Sequence, residues 1–345
     1  MTDIKNAIFQ LENDDLTLVN RVRTKYVDTG LKYGWRSNNY KDYDQGHWNK
    51  VLIPNSVRIP CDHNKTPYLN NHPEVKKIWD IIQEVIGPRG FYRTYINGYT
   101  FGTEGYAHQD DSWILRKYGD KALSETSIIY LNPEWNVDWG GETVVYKNLN
   151  INEDNDIVAS VLPKLGKVFV FESKQLHSAR PLSRACQVLR SVLVIKTIDP
   201  VLIISPQMDF ITNLSYDVKH SGRSFFEHLF GTMLKLEDME VSDDVLLAGL
   251  YHSVYGTESF QYNNPEITRD LIKSMIGNYP EYLVHEFCTM KNRMTTLMNN
   301  TNRYDDKVLI DLLSIEVCNL LDQNNNMFNI NIRTLKDRLD ELKKV

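Results

Sequence analysis

The residues of this sequence best suited to chemistry are a histidine and an aspartate two positions apart. His108 and Asp110 lie in the stretch GYAHQDDSW, and His177 follows 67 residues later (177 − 110). In an extended segment, residues i and i+2 point to the same side, so both side chains can reach one metal ion. Two histidines and one carboxylate on one face of a metal form the triad that holds non-haem iron(II). Asp111 is a competing carboxylate, which a regular strand would point away.

Apolar segments surround the third candidate ligand. GKVFVF precedes His177 and VLRSVLVIK follows it, so His177 is expected at a strand end or turn. Arg190 stands inside the second segment, and an unpaired buried charge is costly, so this arginine needs an anion. Its planar guanidinium suits a bidentate carboxylate. Two interpretations of Arg190 stay open: it binds the carboxylate of a ligand, or it forms a structural salt bridge with an Asp or Glu. For His108 and Asp110, the alternative to a metal site is that both are ordinary polar residues of the surface.

The elements that must position these residues follow from hydrophobic periodicity. A helix is predicted over Pro73–Ile86, because apolar residues recur at helical spacing, Pro73 suits its first turn and Gly87 ends it. Five strands are then predicted, separated by turn dipeptides such as Asn97-Gly98 and Gly140-Gly141. They are Phe91–Tyr99, Thr126–Leu131, Thr143–Tyr146, Val168–Phe171 and Leu189–Thr197. Many short strands with turns between them favour a sandwich or jelly roll, whose open end can hold a ligand.

The later part of the chain is predicted to be all α. Helices are expected over 224–239, 242–255, 264–277, 280–298, 305–321 and 332–342, several of them opened by capping residues. The sequence therefore divides into residues 1–198, a linker over 199–215, and a helical domain over 216–345. A length of 345 residues agrees with about two domains.

Composition excludes several classes of protein. The net charge of −6 provides no basic footprint, so nucleic-acid binding is unsupported. The four cysteines are widely spaced without a C-x-x-C, which argues against a zinc ribbon or a disulfide framework. No signal peptide is recognisable and no apolar run reaches about 18 residues, so a cytoplasmic protein is expected.

Three segments occur in the order found in one enzyme family. They are YINGYTFGTEGYAHQDD, IIYLNPEWNVDWGGETVVY and GKVFVFESKQLHSARPLSRACQVLRSVLVIKT. Over residues 90–198 the sequence resembles the prolyl-4-hydroxylase-like branch of the Fe(II)/2-oxoglutarate-dependent dioxygenases. The resemblance implies a double-stranded β-helix, a jelly-roll variant, within an α+β chain. It also implies that His108, Asp110 and His177 hold Fe(II).

The same resemblance implies the cofactor contacts and the reaction. Arg190 would anchor the distal carboxylate of 2-oxoglutarate, with Arg184 as the second candidate. The family's residue is often lysine and nearer to the distal histidine, whereas Arg190 comes 13 residues after it (190 − 177). Tyr99 would hydrogen-bond 2-oxoglutarate, Tyr95 and Tyr106 are alternates, and core packing is the other interpretation of all three tyrosines. The family couples O2 and decarboxylation of 2-oxoglutarate to succinate with hydroxylation of a C–H bond, here in peptidyl proline or a small molecule.

The helical part carries a weaker resemblance. His228 and His252 on consecutive helices, the second within AGLYHSVYGT, resemble the HD superfamily of helical metal-binding domains, which implies a possible second metal. Ser253 replaces the aspartate that follows the second histidine in that superfamily. The other interpretation is a pair of hydrogen-bonded core histidines. The alternative functions are a second metal-dependent step in the helical domain, a helical domain that only docks a partner or dimerises, and a jelly roll that binds without catalysis.

Overall fold

The structure is a computed structural model, and it describes residues 6–36, 46–103, 105–119, 122–299, 303–324 and 329–344. The chain divides into two compact units, Met1–Ile204 and Ser205–Val345. The stretch 199–215, expected to be a linker, contains a 3-10 turn over Pro200–Ile203 and a helix over Pro206–Ser215. Ser205 caps that helix, because its hydroxyl accepts a hydrogen bond from the amide of Met208.

Antiparallel strands dominate the first unit. In chain order they are β1 Asn6–Gln10, β2 Lys32–Trp35, β3 His47–Ile53, β4 Gly90–Tyr99, β5 Gly105–His108, β6 Ser124–Tyr130, β7 Thr143–Tyr146, β8 Ile157–Val161, β9 Lys167–Glu172, β10 His177–Ala179 and β11 Arg190–Ile198. Seven strands form one sheet in the order β1-β9-β6-β11-β4-β3-β2, and four form another in the order β5-β10-β7-β8. The α+β class with antiparallel sheets agrees with the prediction.

The large sheet buries both of its faces, because alternate side chains of β11 join different apolar clusters. Leu193 and Ile195 pack with the helices of this unit. Val192 and Val194 pack with Val145 of the small sheet, so this second cluster lies between the two sheets. Burial on both faces explains why β11 is apolar at nearly every position and lacks simple alternation.

The first unit also contains helices, and those that precede β4 in the chain cover the outer face of the large sheet. The helices of this unit are α1 Asp14–Val22, continued by a π-helical segment over Arg23–Val27, α2 Pro67–Asn71, α3 Pro73–Ile86 and α4 Ser112–Tyr118, with 3-10 turns over His63–Lys65 and Val137–Trp139. The predicted bounds of α3 are those observed, with Gly87 as C-cap. Its buried face carries Ile78, Trp79 and Ile82, all fully buried in the helix-covered cluster.

The five predicted strands are present as β4, β6, β7, β9 and β11; β7 has the predicted bounds, and the bounds of the other four are shifted by one to two residues. Six further strands of this unit were not predicted. β5 and β10 have only four and three residues, too short for a periodic pattern. β2 is exposed throughout and β8 is largely exposed, so neither has the apolar face on which strand prediction depends.

The second unit is helical apart from a two-stranded ladder of β12 Lys219–His220 and β13 Arg223–Ser224. Its helices are α5 Pro206–Ser215, α6 Phe225–Asp238, α7 Asp243–Tyr251, α8 Arg269–Ile276, α9 Asn278–Thr289, α10 Arg293–Asn299, α11 Asp306–Asn324 and α12 Ile330–Leu342. The predicted capping box is present at α6, between Ser224 and Glu227. The all-α prediction holds for the described residues, apart from the short ladder.

Three predicted helix boundaries in this unit were wrong. The helix expected from Asn264 begins at Arg269, because Thr268 provides the N-cap. The helix expected over 280–298 is two helices, since Met290 has an extended backbone and Asn292 has a positive φ of 45°. The helix expected to reach Tyr255 ends at Tyr251.

Candidate functional site

The four-stranded sheet brings the three predicted ligands together. His108 is the last residue of β5, His177 is the first of β10, and the two are directly paired across the antiparallel ladder. Asp110 lies just after β5, where its amide donates to the carbonyl of Ser173 at 2.8 Å. One ligand atom from each of the three side chains lies within 4.8 Å of the others. Among the described residues this is the only group of three such side chains with metal-binding geometry.

Backbone carbonyls orient both imidazoles. The Nδ1 atom of His108 lies 2.7 Å from the carbonyl of Tyr106, and that of His177 lies 2.8 Å from the carbonyl of Gln175. Hydrogen on each Nδ1 leaves Nε2 as a lone-pair donor, the arrangement usual in metal-binding histidines. These Nε2 atoms lie 3.7 Å and 3.4 Å from the carboxylate of Asp110. The donor set therefore fits a divalent transition metal such as Fe(II), with positions left open.

The charge state of the site also suits a metal. Burial, followed by the neighbouring His177, lowers the pKa of His108 to about 4, so its imidazole is neutral at physiological pH. Burial alone would raise the pKa of Asp110, but Lys196 and then His177 outweigh it and hold that pKa well below the usual range. A neutral imidazole and an ionised carboxylate are the forms that bind metal.

Lys196 is a site residue that the sequence analysis missed. Its side chain is buried, and its Nζ lies 2.5 Å from Asp110 Oδ2, 3.0 Å from Asp111 Oδ2 and 2.9 Å from Thr126 Oγ1. Asp111 therefore does not point away, as a regular strand would require. Its backbone is left-handed, with φ 53° and ψ 37°, and its carboxylate turns toward the lysine. The sequence feature that could have indicated Lys196 is its position in the apolar strand, six residues after Arg190 and on the same face.

Arg190 is buried in the interior between the sheets, with 1% of its surface exposed. Its Nε donates to the carbonyl of Gly141 at 2.6 Å, and its Nη2 donates to Thr143 Oγ1 at 2.8 Å. Within the described part of the chain, no carboxylate pairs with it. The structural salt bridge left open by the sequence is therefore not found, and the guanidinium still requires an anion.

Strand pairing places Arg190 on the ligand side of the interior. Thr143, which Arg190 contacts, lies in β7 two residues before Val145, and Val145 is the partner of His177. Two residues along a strand span about 7 Å, a separation that a short dicarboxylate can bridge. Gly141 has a φ of +75°, and a Cβ there would collide with the side chains of Leu182 and Arg190. The absence of a side chain at this position therefore allows Arg190 to pack against the backbone of Gly141.

The other candidate cofactor contacts lie in different surroundings. Arg184 is exposed and stacks over the ring of Phe101, which is itself exposed, so it lacks the burial of Arg190. Tyr99 pairs with Arg190 across β4 and β11, and the guanidinium carbon lies 5.3 Å from its ring centroid. Tyr130, which the sequence analysis did not single out, lies equally close, at 5.5 Å.

Tyr95 and Tyr106 hold different positions from Tyr99. Tyr95 is buried, pairs with Val194, and has its pKa raised well above the usual range by burial. Tyr106 orients His108 through its carbonyl. Of the three predicted tyrosines, Tyr99 is the one that the structure places beside Arg190.

In the second unit, His228 and His252 are both fully buried and face each other. Their Nε2 atoms are 3.1 Å apart. The Nδ1 atom of His228 lies 2.7 Å from Asp322 Oδ2, and that of His252 lies 2.7 Å from the carbonyl of Gly249. Every ring nitrogen of the pair thus has a polar partner. This agrees with the interpretation of hydrogen-bonded core histidines.

A second metal gains no support from this pair. Asp322 binds the far side of His228 and also contacts Arg223 and Lys235, and Ser253 provides no carboxylate. No third histidine, cysteine or carboxylate among the described residues completes a metal-binding group there.

Comparison with known proteins agrees with the geometry of the first unit. Residues 94–194 match the family model described as 2OG-Fe(II) oxygenase superfamily. This segment of the first unit is therefore similar to 2OG-Fe(II) oxygenases. The match contains the three candidate ligands and Arg190, and it ends two residues before Lys196.

Solved structures with low sequence identity are similar to part of this chain. A prolyl hydroxylase from Trichoplax adhaerens, in complex with a hypoxia inducible factor oxygen degradation domain peptide fragment, shares 16% identity at a TM-score of 0.40, covering 58% of this chain and 86% of that one. A prolyl-4-hydroxylase from Pseudomonas putida shares 16% at 0.36, covering 56% and 92%. A non-heme alpha ketoglutarate dependent carbocyclase from nogalamycin biosynthesis shares 14% at 0.38, covering 56% and 80%.

The helical part matches a family without an assigned function. Residues 212–292 match the model described as Domain of unknown function (DUF6817), and this match leaves the HD-like assignment unconfirmed. A search of curated proteins finds no match to the chain. No helix among the described residues combines the length and the apolar character needed to cross a membrane.

Proposed function

We propose that the first unit is an Fe(II)- and 2-oxoglutarate-dependent oxygenase that hydroxylates a C–H bond. The observation that carries this proposal is the convergence of one ligand atom from each of His108, Asp110 and His177 within 4.8 Å. Iron and 2-oxoglutarate, when bound, supply the oxidising chemistry. The chain's own residues hold the metal on one face and exclude water from the apolar interior between the sheets.

Arg190 supports 2-oxoglutarate as the co-substrate. It is a buried cation with no carboxylate partner in the described residues, and it lies on the interior side that the metal ligands share. Its guanidinium would bind the distal carboxylate of 2-oxoglutarate, with the ring of Tyr99 beside it. The substrate we propose is peptidyl proline or a small molecule.

The test begins with anaerobic titration of Fe(II) and 2-oxoglutarate into the full chain. We expect a metal-to-ligand charge-transfer band, followed by slow succinate formation when air is admitted. Asp110→Ala should abolish both signals, because it removes the charged ligand. His285→Ala is the matched control, because this half-buried histidine of α9 belongs to the second unit, where it contacts Glu286. If the natural chain gave neither the charge-transfer band nor succinate, the oxygenase proposal would be wrong and a non-catalytic jelly roll would be favoured.

For the second unit, the HD-like assignment stays a hypothesis whose basis is the placement of His228 on α6 and His252 at the C-cap of α7. Metal analysis of the Asp110→Ala chain tests it without interference from the first unit. A stoichiometric metal that is lost on adding His252→Gln would support an HD-like site. A metal-free Asp110→Ala chain would leave the pair as core histidines.

A further inference from the structure

Arg93 lies beside the metal centre on β4. It is the one half-buried residue of a strand whose other nine residues are buried. It pairs directly with Lys196 across β4 and β11, so the two side chains lie on the same face of the sheet. Lys196 in turn contacts Asp110 at 2.5 Å. Arg93 is therefore one cross-strand step from a candidate iron ligand.

Of the two cations in this cross-strand pair, Lys196 has carboxylate partners and Arg93 has none among the described residues. Lys196 faces two carboxylates, those of Asp110 and Asp111. Arg93 has no carboxylate partner and no side-chain hydrogen bond among the residues that the structure describes. Two cations directly opposite each other in a ladder repel. The uncompensated one, Arg93, leaves a positive charge next to the site.

Aromatic rings contact the guanidinium of Arg93. Its central carbon lies 4.8 Å from the ring centroid of Tyr95 and 5.2 Å from that of Trp35. Stacking on rings occupies the face of a guanidinium and leaves its N–H groups at the edge. Trp35 is 39% exposed, so this cluster is open to solvent on one side. An aromatic-backed guanidinium with unused donors is suited to receive a carboxylate edge-on.

We propose that Arg93 determines substrate specificity by binding a carboxylate of the substrate. The inference rests on the proposed oxygenase function and names a feature of its substrate class: an anionic group close to the C–H bond that reacts. Arg93 and Arg190 then have separate tasks. Arg190 is enclosed at one end of β11 beside Tyr99, whereas Arg93 lies opposite the other end, beside the solvent-exposed Trp35.

The test uses compounds that differ only in the proposed group. Free L-amino acids and simple hydroxy acids, each paired with its primary amide, are titrated into the anaerobic complex of the full chain with Fe(II) and 2-oxoglutarate. A substrate bound beside the metal would shift the charge-transfer band, and this shift would report binding without turnover. We expect the natural chain to bind carboxylates more tightly than their amides. Arg93→Gln should weaken carboxylate binding about 10- to 100-fold and leave amide binding unchanged.

Two further variants make the outcome decisive. Arg93→Lys keeps the charge and should retain part of the carboxylate preference, and Arg116→Gln, an exposed arginine of α4, should retain all of it. The inference is overturned if Arg93→Gln keeps the natural ratio of carboxylate to amide affinity, or if no carboxylate of the panel shifts the band. Loss of the 2-oxoglutarate band itself in Arg93→Gln would also overturn it, because Arg93 would then serve the co-substrate. A natural chain without any band instead overturns the oxygenase proposal.

Discussion

His108 and His177 are directly opposite each other in the β5–β10 ladder, and their ring centroids are 4.4 Å apart. They are 69 residues apart in the chain (177 − 108), so this pairing alone brings two candidate ligands to one point. The carbonyls of Tyr106 and Gln175, each two residues before its histidine, orient the two rings in the same way.

Removing one of these histidines should weaken metal binding and leave the fold intact. We expect His177→Ala to weaken Fe(II) binding by roughly 100-fold or more, since loss of an outer partner alone costs 10- to 100-fold. Equilibrium binding of Fe(II) under anaerobic conditions measures the change, and circular dichroism confirms the fold. His285→Ala is the control, and an unchanged Fe(II) affinity in His177→Ala would place the metal elsewhere.

The anchor for 2-oxoglutarate can be assigned by comparing two arginines. Arg190→Lys should weaken 2-oxoglutarate binding about 10-fold or more with Fe(II) affinity retained, because lysine lacks the planar fork that Gly141 and Thr143 position. Arg184→Lys, at the exposed alternative, should bind 2-oxoglutarate normally. Titration of the charge-transfer band measures both affinities. The reverse ranking would move the anchor to Arg184.

Lys196 should stabilise the metal-free site. Lys196→Met leaves the carboxylates of Asp110 and Asp111 without a counter-charge, and breaking a buried ion pair in this way costs about 3–5 kcal/mol. We expect a lower melting temperature without metal and a larger stabilisation by added Fe(II), because the ion then supplies the missing positive charge. Thermal unfolding with and without Fe(II) measures this. Lys50→Met, which removes a lysine that donates to Thr29, is the control. Equal responses to Fe(II) in the two variants contradict the role given to Lys196.

Acid should destabilise the first unit partly through His63. Burial lowers the pKa of His63 from 6.5 to about 4, so the unfolded chain binds a proton that the folded chain rejects between these values. Stability is therefore unaffected above pH 6.5 and falls with pH below it, by about 1.4 kcal/mol per pH unit, or roughly 2 kcal/mol between pH 6.5 and 5. Urea unfolding at pH 7 and pH 5 measures the free energy of unfolding of the natural chain and of His63→Gln. The difference between the two pH values should be smaller for His63→Gln than for the natural chain. An equal dependence in both, with His285→Gln as reference, would contradict this origin.

In the helical unit, the carboxylate of Asp322 leaves no space for a side chain at Gly231. A Cβ at Gly231 in α6 would collide with the carboxylate of Asp322, which binds His228 and Lys235. Gly231→Ala should therefore destabilise the unit by about 2 kcal/mol or more, although alanine favours a helix interior by about 1 kcal/mol. The decisive measurement is a double-mutant cycle with Asp322→Ala. In that background Gly231→Ala should be neutral or stabilising, and additive losses would exclude the collision as the cause.

Local pattern determined much of this protein. The periodicity of α3, the apolar runs of β4, β6, β9 and β11, and the capping box of α6 are short-range signals, so the sequence alone predicts those elements. The spacing of His108 and Asp110, with Arg190 inside an apolar strand, likewise predicts an anion-binding metal site. The short strands β5 and β10 escaped prediction, because three or four residues show no period and gain their stability from pairing with distant strands.

Tertiary structure decided which charges meet. The register between β4 and β11 places Arg93 opposite Lys196, and the left-handed backbone at Asp111 turns a second carboxylate to that lysine. In the described interior no carboxylate pairs with Arg190, which argues against the salt bridge and supports the proposal of a ligand anchor. These relationships join residues about 85 to 103 positions apart, from Asp111 or Arg93 to Lys196. No local propensity encodes them, because they depend on the burial and pairing of whole strands.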